Sequence, residues 1–230
     1  MKKRTATSSH LVLFDIDGTL TNGASADPEA MAQAFRKVCG VEVPVNWAEI
    51  QGMTAQQVFF FYVGKWGLKD HRLKRWMRAY VASYKRLFPR RDNLKIQPGA
   101  RALLTTLKSR GCVLGNVTGN FKELARFKLK SVGLRSYFKF GAYGDDAKTR
   151  AELVCIAIKR GVKRHHLHLD GDKVVHFGDT PRDVIAGKKA GIQTVAVATG
   201  VHSVAQLRRE KPDLLVTSLD DKRILKFLRL

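Results

Sequence analysis

Leu11-Val12-Leu13-Phe14-Asp15-Ile16-Asp17-Gly18 is a continuous apolar run that ends on two acids and a glycine. A strand with one face in water alternates apolar and polar residues, whereas an unbroken run belongs to a parallel strand covered on both faces. The run predicts the central strand of a sheet. Asp15 and Asp17 are two residues apart on it, so their side chains project to one face and converge on one small volume. Carboxylates that close repel each other unless a cation or a shared proton separates them. A hard divalent ion that prefers oxygen ligands, such as Mg²⁺, is the natural neutraliser.

Further apolar runs occur at 112–117, 174–177, 194–198 and 214–216, each stopping at a glycine or a small polar residue. Helix-like stretches at 100–108, 121–131, 151–160 and 183–190 lie between them. This alternation predicts an α/β fold built on a doubly wound parallel sheet. In such sheets ligands sit beyond the carboxyl ends of the strands, where Asp15, Thr118 and Asp179 would meet in one crevice. Residues 22–97 break the alternation. They read as amphipathic helices at 28–38, 55–63 and 71–87 without a convincing strand, an inserted helical domain that Gln97-Pro98-Gly99 closes. The expected division is therefore 1–21 with 98–230 as the core and 22–97 as the insertion, with hinges near 21–24 and 97–99.

Composition bounds the alternatives. The 230 residues are 44% hydrophobic and 27% charged, ordinary for a globular chain, but 42 Lys and Arg face 20 Asp and Glu, a net charge of +22. Polyanions will be attracted, so nucleic acid is expected to bind at least through nonspecific electrostatics. Cys39, Cys112 and Cys155 are odd in number and widely spaced, which suggests neither a disulfide framework nor a zinc site and fits a reducing cytoplasm. The basic start Met1-Lys2-Lys3-Arg4 resembles a signal peptide's first region, yet the apolar stretch that follows is too short and too acidic. No run approaches the ~20 apolar residues of a membrane span. A monomer or homodimer is expected.

A second acid pair, Asp179 and Asp183 in Phe177-Gly178-Asp179-Thr180-Pro181-Arg182-Asp183, follows another apolar run at a strand-to-helix turn. Either pair alone reads equally well as a helix cap and a solvated acid, but two clusters at strand ends point to a metal. Thr118, Gly119 and Asn120 end a further strand with a hydroxyl and flexible backbone able to donate to a phosphate oxygen.

Taken in order, Asp15-Ile16-Asp17-Gly18-Thr19-Leu20, Val117-Thr118-Gly119-Asn120, Lys148 and Gly178-Asp179-Thr180-Pro181-Arg182-Asp183 resemble the four motifs of the haloacid dehalogenase (HAD) superfamily of hydrolases. The likeness spans nearly the whole chain, and the helical insertion after the first motif resembles the cap of the phosphoglycolate-phosphatase-like branch. The first and last motifs are highly specific, and the middle two mean little outside this order. The resemblance implies a Rossmann-like core and a Mg²⁺-dependent phosphatase acting on a small phosphorylated metabolite. Asp15 would attack phosphorus to form an aspartyl-phosphate, and Asp17 would act as acid and then base. The metal ligands would be the Asp15 carboxylate, the Asp17 backbone carbonyl and Asp179, with Asp183 in support. Thr118 would hold the phosphoryl group with Gly119 and Asn120, and a lysine would balance its charge. That lysine is assigned to Lys148, with Arg150 as competitor, since the family's Lys-Pro pair is missing here.

An acid two residues after the nucleophile favours phosphoryl transfer over dehalogenation, while a sugar-phosphate mutase uses the same residues. Gly52 and Thr54, in the insertion's Gln51-Gly52-Met53-Thr54, are candidates for substrate contact. The insertion mixes Phe59, Phe60, Trp66 and Trp76 with many Lys and Arg, which raises a nucleic-acid-associated protein with a vestigial site as the alternative from another class. Aromatics at helical spacing are more often core. His165, His166 and His168 receive no role.

Overall fold

The computed structural model describes residues 10–23, 26–69, 72–91, 94–168 and 173–230, without the side chains of 90 and 91. The basic residues at 1–4, the expected helix start at 71 and the hinge position 24 lie outside the described residues. The chain begins with β1 (Leu11–Phe14) and β2 (Thr21–Asn22), then α1 (Ala26–Cys39), α2 (Trp47–Ile50), α3 (Ala55–Lys65), α4 (Leu73–Arg91) and β3 (Lys95–Ile96). It continues through α5 (Ala100–Ser109), β4 (Val113–Val117), α6 (Lys122–Ser131), β5 (Gly141–Ala142), α7 (Arg150–His165), β6 (Val174–Gly178), α8 (Pro181–Lys189), β7 (Gln193–Val197), α9 (Val204–Arg209), β8 (Leu214–Val216) and α10 (Arg223–Phe227).

Six strands form one parallel sheet in the order β5-β4-β1-β6-β7-β8. β1 is central, as its composition requires: Val12 and Phe14 pack on one face with Leu103, Leu104 and Leu107 of α5, and Leu11 and Leu13 pack on the other with Leu153, Val154 and Ala157 of α7. All four β1 residues are fully buried. Because β4 and β6 flank β1, the residues that follow these three strands converge at one edge of the sheet.

α1 to α4 carry a separate apolar cluster. Phe35, Phe59, Tyr62 and Trp76 are fully buried at its centre, with ring centroids 5.0 Å apart for Phe35–Trp76 and 5.4 Å for Phe59–Trp76. Aromatics bury large areas and prefer offset or tilted contacts at such separations. Of the aromatic residues singled out in the sequence, Phe59 and Trp76 are therefore core, while Phe60 and Trp66 are exposed. β2 and β3 pair antiparallel, Thr21 opposite Ile96 and Asn22 opposite Lys95, so the two chain crossings lie side by side as a short ribbon. Among the described residues no helix is long and apolar enough to cross a membrane.

Candidate active site

Asp15 follows β1 directly, and its backbone N–H donates to the Phe177 carbonyl of β6 at 2.9 Å. Thr118 follows β4 and Asp179 follows β6, so the sheet sets three side chains around one point. Asp15, Asp179 and Asp183 are buried, and their carboxylate oxygens lie within 4.8 Å of one another. Gly18 and Gly200 pack against Asp179 so closely that a Cβ at either would collide with its carboxylate, and Thr19 Oγ1 donates to Asp179 Oδ1 at 3.0 Å. Burial raises the Asp15 carboxyl to about 7, with Asp183 and Asp17 adding to the rise and Arg150 opposing it. Burial together with Asp15 and Asp183 raises Asp179 well above the carboxylate range.

Arg150 is the cation at this cluster. Its Nη1 donates to Asp15 Oδ1 at 2.9 Å and to Asp183 Oδ1, while Nε donates to the Gly52 carbonyl at 3.2 Å. Burial pushes the Asp183 carboxyl up, but Arg150, His176 and Thr180 hold it below the usual range. Asp183 also closes a capping box on α8, its Oδ2 accepting from Thr180 N at 3.0 Å and Thr180 Oγ1 at 2.6 Å. With all three carboxylates ionised, one guanidinium would leave two negative charges uncompensated. An all-oxygen pocket that carries that charge only when a cation offsets it fits a hard divalent ion.

Lys148 is not in this crevice. It is exposed, and it lines a separate surface cavity with Met53, Gln56 and Phe60. The reason is helix phase. Thr149 caps α7 in a capping box with Glu152, which makes Arg150 the first helical residue. Arg150 then shares the buried stripe with Leu153, Val154 and Ala157, while Lys148 precedes the helix.

Asp17 sits at the cavity wall with its carboxylate held by two donors. Asn120 Nδ2 donates to Oδ2, and Lys128 Nζ lies 3.0 and 3.1 Å from the two oxygens. Lys128 was not singled out in the sequence. It occupies the inward face of α6 with Leu124, Ala125 and Leu129, and a lysine within that apolar stripe was the available signal. Thr118 Oγ1 accepts from Asn120 N at 3.2 Å and Asn120 Nδ2 at 3.0 Å, which leaves its proton for a ligand. Thr118, Gly119 and Asn120 all line the cavity.

The helical insertion closes over this site through hydrogen bonds to backbone carbonyls of the core. Ala55 N donates to Gly119 O at 2.8 Å, Thr54 Oγ1 to Lys148 O at 2.8 Å and Gln56 Nε2 to Gly144 O at 2.8 Å. Gly52 lines the cavity. Thr54 does not: it is fully buried, caps α3 and latches the insertion to the core. His165, His166 and His168 are exposed, away from the acids.

The model of the haloacid dehalogenase-like hydrolases matches residues 10–191. The chain belongs to this family. Among curated relatives of this hydrolase, a probable phosphatase IndB of Dickeya dadantii is 26% identical over 220 residues, 92% of this chain and 90% of the relative. A phosphoglycolate phosphatase of Neisseria meningitidis is 28% identical over 230 residues, covering 91% of this chain and 90% of the relative. In fold, the hydrolase resembles the crystal structure of a predicted phosphoglycolate phosphatase from Haemophilus somnus, with a TM-score of 0.72 at 20% identity over 96% of this chain and 98% of that one.

Proposed function

We propose that this hydrolase is a Mg²⁺-dependent phosphomonoester phosphatase working through an aspartyl-phosphate on Asp15. The observation that carries the proposal is the pairing of a buried nucleophile, Asp15, with a separately held acid, Asp17, both lining one cavity. Names of relatives that include phosphatases support it.

In this reading an Asp15 oxygen attacks phosphorus and the P–O bond to the leaving group breaks. Asp17 gives its proton to the departing oxygen, then takes one from the water that attacks the aspartyl-phosphate and frees inorganic phosphate and Asp15. Thr118 Oγ1 donates to a phosphoryl oxygen, with Gly119 and Asn120 beside it. Arg150 replaces Lys148 as the residue that orients Asp15 and balances the phosphoryl charge. The Asp15 and Asp179 carboxylates and the Asp17 carbonyl would hold Mg²⁺, with Asp183 behind them. Bound there, the ion would offset the charge that builds on the phosphoryl oxygens.

Residues 22–97 act as a cap that excludes water when Thr54 and Ala55 contact the core and opens about the β2–β3 ribbon to release product. The substrate is a phosphorylated small molecule rather than nucleic acid, whose attraction to a net charge of +22 is nonspecific. A reducing cytoplasm suits the three widely spaced cysteines. The test is hydrolysis of para-nitrophenyl phosphate with and without Mg²⁺, by the wild type and by Asp15→Asn. Turnover that needs Mg²⁺ and is lost in the variant is expected. Wild-type inactivity, or an Asp15→Asn protein that still turns over, overturns the proposal.

A further inference from the structure

The cavity between cap and sheet has a volume of about 560 Å³, well beyond what a phosphoryl group fills. Its two ends differ in chemistry. The sheet end presents Asp15, Asp17, Thr118, Asn120 and Arg150. The cap end is mainly apolar: Met31 from α1, Trp47 and Ile50 from α2, Met53 just before α3 and Val58 within it, with Gln51 and Tyr80 as polar members. Met31, Ile50 and Val58 are nearly fully buried and belong to the cap's own apolar cluster, so their side chains are fixed in place rather than free to swing aside.

Charge narrows the ligand further. Among the described residues lining the cavity, Arg150 is the only cation, and its guanidinium is committed to Asp15, Asp183 and the Gly52 carbonyl. A substrate with a second anionic group would press that anion against Met31, Trp47 and Ile50 with no cation to pair it, and burying an unpaired charge in largely apolar surroundings is strongly unfavourable. Phosphoglycolate, with its carboxylate, and inorganic pyrophosphate, with its second phosphate, both fail on this ground. A hexose phosphate fails less severely, since most of its hydroxyls would face Met31, Ile50, Met53 and Val58, which offer no strong hydrogen-bond partner, with Trp47, Gln51 and Tyr80 able to meet only a few of them.

We propose that the substrate is the phosphomonoester of an uncharged, largely apolar alcohol or phenol, whose carbon skeleton lies against Met31, Trp47, Ile50, Met53 and Val58. This substrate class rests on the phosphatase reading above. It adds to that reading a specificity determinant on the cap's largely apolar wall.

The test uses a homologous series, ethyl to octyl, as phosphate esters for turnover and as phosphonates for binding in the presence of Mg²⁺. Phosphonoacetate stands in for phosphoglycolate. Within the alkyl esters the leaving-group chemistry is constant, so changes report the wall alone. Affinity and kcat/KM are expected to rise about threefold to fourfold per methylene until the wall is filled, and phosphonoacetate is expected to bind more than about tenfold more weakly than butylphosphonate. Met31→Lys, which adds a cation to the wall, is expected to narrow or invert that ratio, and Trp47→Ala to flatten the chain-length slope. Calorimetry reads the phosphonate series whether or not turnover occurs. Indifference to chain length, or a preference for phosphonoacetate, overturns this substrate class while leaving Asp15-dependent hydrolysis of para-nitrophenyl phosphate intact. Loss of all Asp15-dependent turnover overturns the phosphatase reading and the substrate class with it.

Discussion

Lys128, from helix α6, sets its fully buried ammonium 3.0 Å from Asp17 while also standing 2.5 Å from Asp27 of the cap helix α1. One cation thus ties a core carboxylate to a cap carboxylate. Tyr80 of α4 donates to the second oxygen of Asp27 at 2.5 Å, and the Tyr84 ring lies 4.9 Å below the ammonium. Burial alone would lower the Lys128 pKa, but Asp17 and Asp27 raise it, so the residue stays charged. Burial also raises Asp27, to about 6, against the pull of Lys128.

Removing one member of such a group strands the others. Lys128→Met keeps the length of the side chain but leaves Asp17 and Asp27 facing each other with no cation between them. The expected loss of folding stability is about 3–5 kcal/mol, measured by urea denaturation. Adding Asp27→Asn to Lys128→Met removes the repulsion and should recover part of it. A double variant no more stable than Lys128→Met would show that the three groups do not act as one unit.

Arg150 and Lys148 are separated by one residue and by opposite fates. Arg150→Ala should lower kcat about 10²- to 10³-fold, in the range seen when a donor to developing charge is deleted. Arg150→Lys should recover part of that, since one contact to Asp15 survives. Lys148→Ala should stay near the wild-type rate. Steady-state kinetics on para-nitrophenyl phosphate discriminates the two, and equal losses at both positions would contradict the assignment of Arg150.

This pair marks the limit of what the amino-acid sequence alone reveals. The fold is legible because parallel strands buried on both faces leave mostly apolar runs: β1 and β8 carry them unbroken, and β4, β6 and β7 carry them with a polar residue or two, such as Asn116, His176 and Thr194. β5 escaped because Gly141 and Ala142 form too short a strand to leave a pattern. Asp15, Asp17, Thr118 and Asp179 were legible because strand ends must meet at one edge of such a sheet. The placements of Lys148, Lys128 and Thr54 are harder to read, for a different reason. Which of two residues at a helix start faces inward depends on where the helix is capped, and whether a lysine is solvated depends on the cap helix packed over it. Both are set by tertiary contacts. The capping box Thr149–Glu152 and the stripe Leu124, Ala125, Lys128, Leu129 carried that information in the sequence, but only to a reading that fixes helix phase first.

The acid cluster gives a pH dependence to metal binding. In the metal-free protein Asp15 is raised to about 7 and Asp179 is raised as well. Groups raised above their unfolded values contribute stability below about pH 4 that is lost as pH climbs through the folded value. Mg²⁺ needs the ionised carboxylates and binds the folded state, so its stabilising effect should be small at pH 5 and grow toward pH 8. His176, which burial lowers to about 4, runs the other way but enters both arms of the comparison. Differential scanning calorimetry with and without Mg²⁺ reads the difference. A Mg²⁺-induced Tm shift that is constant or falls with pH would count against these carboxylates as the ligands.

Gly119 tests whether closure of the cap matters for chemistry. Its carbonyl accepts from Ala55 N at 2.8 Å, and a Cβ added at this position would collide with the Met53 carbonyl and sit 3.1 Å from Thr54 Cα. Gly119 is not among the glycines with positive φ, so an alanine there strains no backbone and its cost falls on the contact with the cap. Gly119→Ala should therefore fold normally and keep the cap's apolar cluster, while the loop carrying Gly52 to Thr54 is pushed off the core. With that loop displaced, the Gly52 carbonyl no longer holds Arg150 and the cavity admits water. A displacement on the order of 1 Å at a reacting site costs roughly 10²-fold in rate, so kcat/KM should fall by about that factor while Tm moves little. A large fall in Tm with kcat/KM unchanged in the folded fraction would mean that the contact serves folding and that closure is not part of the catalytic cycle.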